Sequence, residues 1–76
     1  MLEPLLLANI VRKHRKMAGL SQQQLAELAG VGKTVVFDLE KGKETIQLKT
    51  LRKILHVLNI KVQLTSPMMN QVINHA

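Results

Sequence analysis

The chain has 76 residues, room for one domain and no more. Its 11 Lys and Arg against 5 Asp and Glu give a formal charge of +6 and a pI near 10.2, which suits a polyanionic partner, nucleic acid above all. With no cysteine and no run approaching 18 apolar residues, a disulfide framework, a Cys-ligated zinc finger and a membrane span are all excluded.

The first predicted helix covers about Leu5 to Ala18, with Pro4 at its entry and Gly19 after its end. Its apolar stripe is read as Leu7, Val11, His14 and Ala18, with Leu6 and Ile10 beside it. The residues ahead of it lack a basic leading region and a cleavage site, so no signal peptide is expected. Ser21 and Gln24 have the spacing of a capping box, which starts a second helix from Gln22 to Ala29 with Leu25, Ala26 and Ala29 inward. Gly30 closes it in the left-handed conformation that glycine adopts freely. A third helix runs from about Lys33 to Lys41, with Gly32 at its N-cap position and Val36 and Leu39 facing the core. A fourth spans about Leu48 to Leu58, its apolar face formed by Leu48, Leu51, Ile54, Leu55 and Leu58.

After Asn59, which reads as a helix stop, the period changes. Ile60, Val62 and Leu64 alternate with Lys61, Gln63 and Thr65, a strand pattern. A lone strand is not stable, and the sequence offers no obvious partner for it, so the expected partner is the same strand of a second copy. The high apolar share, 46%, fits this. A domain of this size buries only about 60% of its unfolded surface, so some apolar surface is left over for a dimer. The tail from 66 to 76 reads either as a short helix or as a disordered end.

Two short amphipathic helices joined by a glycine turn, from Ser21 to Lys43, form the unit that sets one helix into the DNA major groove. Arg15, the S-Q-Q-Q-L-A run, A-G-V-G and V-x-x-L-E-K-G-K resemble the Cro and phage-repressor helix-turn-helix family, the Xre type. The L-x-T-L-x-K-I-L-x-x-L pattern of the fourth helix matches the helix that follows the motif. The resemblance implies an all-α, four- to five-helix lambda-repressor-like DNA-binding domain over residues 1–65, with a short C-terminal strand pairing across a dimer. Leu7-Ala8-Asn9 and the strand directly after the last helix are similar to one branch, the HipB-type antitoxins. That branch implies strand pairing across a homodimer and a second partner, a HipA-like serine/threonine kinase toxin.

The same resemblance assigns roles by position. Lys33, Thr34, Phe37 and Asp38 match the base-reading face of the third helix. Lys33 suits guanine O6 and N7, Thr34 a base edge or thymine methyl, and Asp38 cytosine N4; the competing reading is a solvated face. Phe37, the single aromatic residue, either enters the groove or packs against its own fold. Ser21 and Gln22 at a helix start, and Lys41 and Lys43 around Gly42, are expected to touch phosphates. The alternatives are ordinary capping for the first pair and a solvated loop for the second. Arg15 and Glu40 match a structural salt bridge of the family. Ile60, Val62 and Leu64 form the expected dimer strand, or else a site for a different partner. Arg12 and Lys16 read as solvated charge adding a general pull on DNA. His14, His56 and His75 lack metal-ligand spacing, so neither metal nor cofactor is expected.

The expected function is a cytoplasmic, sequence-specific repressor that binds double-stranded DNA as a homodimer on an inverted-repeat operator. Specifically, it is expected to be an autoregulating antitoxin that also holds a kinase toxin. The alternatives are a plain Xre-type regulator with no toxin partner, and an interaction module that has lost DNA binding. Gly32, Val35 and Phe37 at typically polar positions give the last its weight. An enzyme is not expected, because the chain has no nucleophile–base pair, metal ligand set or phosphate loop.

Overall fold

A computed structural model describes residues 3–66 and 71–75. In chain order the elements are α1 (Pro4–Met17), α2 (Gln22–Ala29), α3 (Lys33–Glu40), α4 (Leu48–Val57), β1 (Val62–Ser66) and β2 (Gln71–His75). The four helices enclose one core built from Val11, Leu25, Ala26, Val36, Leu39, Leu51, Ile54, Leu55 and Leu58.

Local chemistry sets the helix limits. Pro4 opens α1, where its missing N–H is no loss. At α2 the Gln24 backbone N–H donates to Ser21 Oγ at 3.0 Å, and Ser21 N–H donates to Gln24 Oε1 at 2.8 Å. This completes the expected capping box and satisfies two otherwise orphan donors. Gly30 ends α2 at φ +70°, and the next N–H, from Val31, returns to the Ala26 carbonyl at 2.9 Å. That closure turns the chain into Gly32 and α3. Asn59, at φ +56°, ends the α4 region in the same left-handed way, as its short polar side chain permits.

The buried face of α1 differs from the predicted stripe. Ala8, Val11 and Arg15 are buried, whereas His14 is half-buried and Ala18 exposed. Arg15 can occupy a core position because its charge is fully partnered, as described below; apolar periodicity cannot anticipate a buried cation. His14 instead lies at the margin with Nδ1 donating to the Ile10 carbonyl at 2.7 Å. Leu48 is a second departure. It stands in the first turn of α4 and is 67% exposed, while Leu51, Ile54, Leu55 and Leu58 carry the core contact.

The strand region also differs. β1 begins at Val62, and Ile60 lies ahead of it, packed with Val62 against the edge of the helical core. Its partner comes from the same chain: β2 pairs antiparallel with β1, Val62 opposite His75 through Ser66 opposite Gln71. The tail is therefore neither helix nor shapeless end over 71–75. Alternation in Gln71–His75 is too short and too polar to signal a strand alone, and pairing with β1 is what defines it. Leu64 lies within β1 opposite Ile73.

Candidate nucleic-acid interface

The glycine turn between α2 and α3 leaves α3 with one buried and one open side. Val36 and Leu39 are buried, with Val35 packed beside them. At about 100° per residue, Lys33, Thr34, Phe37 and Lys41 fall on one opposite stripe, and all four are exposed. Phe37 is 45% exposed, so it does not extend the core. Its ring carries the Lys41 ammonium at 4.8 Å from the centroid, within the range where the ring face attracts a cation. Asp38 lies at the margin of the stripe, half-buried, with Oδ2 at 3.6 Å from Lys43 Nζ. Lys33 and Thr34 open the helix after Gly32, which provides no side-chain cap.

Behind this stripe sits a polar cluster that fixes α3 to the rest of the fold. Arg15 Nε donates to Glu40 Oε2 at 2.7 Å and Nη2 donates to Oε1 at 2.9 Å. The third nitrogen, Nη1, donates to the Leu20 carbonyl at 2.8 Å. Gln22 Nε2 adds a fourth bond, to Glu40 Oε1 at 3.3 Å. The Glu40 side chain retains only 4% of its exposure. Two-pronged hydrogen bonding to Glu40 holds the Arg15 guanidinium pKa above its ordinary value; burial works against this and the nearby negative charge reinforces it. No buried side-chain nitrogen or oxygen among the described residues lacks a partner. The cluster ties α1, the α1–α2 turn, the start of α2 and the end of α3 together in one place.

The expected site residues thus fall into groups. Lys33, Thr34, Phe37 and Lys41 share the open stripe of α3; Ser21 caps α2, and Gln22 follows it with its amide turned to Glu40. Asp38 and Lys43 are engaged with each other rather than free. Several of these roles escape sequence reasoning. The Phe37–Lys41 stacking has a signal, the i, i+4 spacing on a helix. The Asp38–Lys43 pair has none, because Lys43 lies beyond the helix end and reaches Asp38 only through the turn at Gly42. Among the described residues no three His, Asp or Glu side chains gather as a metal site, and no helix is long and apolar enough to cross a membrane.

This arrangement offers a rigid, basic helix face flanked by helix termini. The helix-turn-helix family profile matches residues 11–64, well over half the chain. The chain belongs to the Xre-type helix-turn-helix family. Members of this family are DNA-binding transcriptional regulators, and this chain is one of them. An HTH-type transcriptional regulator of Sinorhizobium fredii, y4mF, is 38% identical over 58 residues, covering 76% of this chain and 76% of that protein. Among solved structures, a chain of a HipA–HipB–O2–O3 complex superposes with a TM-score of 0.77 at 27% identity. It covers 88% of this chain and 94% of its own. SinR, a master regulator for biofilm formation solved in complex with DNA, gives a TM-score of 0.65 at 29% identity. That match covers 71% of this chain and 87% of the solved SinR chain.

Proposed function

We propose that this helix-turn-helix regulator is a cytoplasmic, autoregulating antitoxin-type repressor. It binds an inverted-repeat operator as a homodimer, blocks polymerase sterically, and holds a HipA-like serine/threonine kinase toxin on a surface away from the DNA. The observation that carries this reading is the likeness to the chain from the HipA–HipB complex, which extends over 88% of this chain. The SinR likeness stops at 71%. In this reading Lys33 and Thr34 read base edges, Phe37 lies against a thymine methyl, and Asp38 is released from Lys43 to accept from cytosine. Ser21, Gln22, Lys41 and Lys43 hold phosphates and set the register. Ile60, Val62 and Leu64 lie in or beside the dimer seam, and a two-fold pair would space its recognition helices by about 34 Å, or a multiple of it.

The test is an anisotropy titration against the DNA upstream of the protein's own gene, beside a scrambled duplex. The expected result is a preference for the native sequence of about 10³-fold or more. Lys33→Ala should remove roughly 1–3 kcal/mol of that preference while leaving binding to scrambled DNA in place. Equal binding to both duplexes contradicts sequence-specific repression. A kinase that co-purifies with the protein from its source cell supports the antitoxin role. A plain regulator without a toxin partner is the second reading, favoured by the resemblance to y4mF, an HTH-type transcriptional regulator. Specific operator binding with no kinase in the pull-down decides for it.

A further inference from the structure

Arg12, like Lys16, reads in the sequence as solvated charge with a general pull on DNA. In the fold it lines a concavity of about 190 Å³ together with Arg15, Gln22, Phe37, Glu40 and Lys41. That is well above the roughly 10–15 Å³ that one water requires in the same measure, and the hollow opens to solvent, so a phosphodiester group can enter it. The charges around this hollow are not equivalent. Arg15 has all three guanidinium nitrogens committed, two to Glu40 and one to the Leu20 carbonyl. Arg15 and Glu40 thus cancel, and form a neutral, rigid back wall. Arg12 and Lys41 make no ion pair among the described residues. They leave two uncompensated positive charges at the hollow, one from α1 and one from the residue that caps α3. Lys41 is held there by the Phe37 ring at 4.8 Å.

We propose that this hollow is the seat of a single DNA backbone phosphate, with Arg12 of α1 and Lys41 at the C-cap of α3 as its two cationic ligands. This rests on the DNA-binding reading above and deepens it. The seat makes α1 a part of the interface, and sets one phosphate at a fixed distance from the base-reading stripe that Lys33, Thr34 and Phe37 share. Arg12 suits the role through its planar fork of donors, which matches phosphate oxygens in pairs. Glu40 does not repel the anion, because its charge is already neutralised by Arg15.

The experiment measures affinity of the full chain for its upstream DNA and for a scrambled duplex across a series of salt concentrations. Arg12→Gln should weaken binding to both duplexes by the same factor and reduce the salt slope by about 1, the mark of one lost phosphate contact. Lys13→Gln removes the same charge from the next position, about 100° around α1, and should leave the slope unchanged. With Arg12→Gln and Lys41→Gln combined, the two losses should not multiply, because both cations serve one phosphate. An unchanged slope in Arg12→Gln overturns the seat, as does an equal effect from Lys13→Gln. Losses that multiply in the double variant overturn the shared ligation. If the wild-type chain itself shows no salt-dependent binding to either duplex, the DNA-binding reading fails, and the seat with it. Arg12 and Lys41 are both exposed, and circular dichroism melts of the variants should match the wild type.

Discussion

Glu40 is the residue on which the interface depends most heavily. It accepts from Arg15 twice and from Gln22 once while almost wholly buried. Glu40→Ala would leave the Arg15 charge in the core with only the Leu20 carbonyl as partner. Breaking a buried pair in this way costs about 3–5 kcal/mol. For a domain of this size that corresponds to a fall in Tm of roughly 12 °C or more, read by thermal circular dichroism. A shift of a degree or two would mean that water already compensates the guanidinium. The Arg15–Glu40 partnership was legible in the sequence only through the family pattern, since 25 residues separate the two. The Leu20 carbonyl and the Gln22 amide were not legible at all: neither a backbone acceptor nor a second donor on the same carboxylate leaves a spacing signature.

At the level of elements, α1, α2 and α4 were readable because each carries its own punctuation. Pro4, the Ser21–Gln24 box, Gly30 and Asn59 act through local bonds and φ preferences, which do not depend on the rest of the fold. The α1 face was misread because Arg15, a core residue, is charged, and the stripe was sought among apolar residues. The β2 strand was missed because its stability depends on pairing with β1 and not on its own pattern. Two glycines separate local strain from packing. Gly30 (φ +70°) and Gly42 (φ +89°) both have left-handed backbones, but a Cβ at Gly30 meets nothing within 4 Å. At Gly42 it would come within 3.0 Å of Leu5 Cδ2. Gly30→Ala should therefore cost about 1–2 kcal/mol, the left-handed penalty alone. Gly42→Ala should cost more, since the Leu5 side chain must also shift. Urea denaturation of the two variants checks the order, and equal losses would show that Leu5 yields freely.

For the whole molecule, what matters is the support of the hairpin. Ile60 and Val62 pack against the helical core, yet a two-stranded sheet is marginal alone in water. Antiparallel pairing of β1 with β2 uses one edge of each strand and leaves the outer edges as backbone donors and acceptors for another chain. Pairing within the chain therefore replaces the expected lone strand without removing the basis for a proposed dimer. Sedimentation of the full chain should give a dimer at micromolar concentration, and a chain ended at Lys61 should give a monomer with weaker operator binding. A shortened chain that remains dimeric would move the interface to the helices, where Leu5, Leu6, Leu28 and Leu48 are exposed.

The bonds around Glu40 also bear on the thermodynamics of recognition. A reading helix held through Glu40 by three hydrogen bonds from α1 and α2 before any DNA arrives has little conformational freedom left to lose on docking. Binding should then proceed as rigid-body association, without a folding step. Calorimetry should return a heat-capacity change no larger than the area covered at the contact accounts for, with no added contribution from a segment ordering on the duplex. Loosening the anchor would convert the same surface into one that must organise itself on every encounter. Affinity would then fall without the loss of any group that touches DNA.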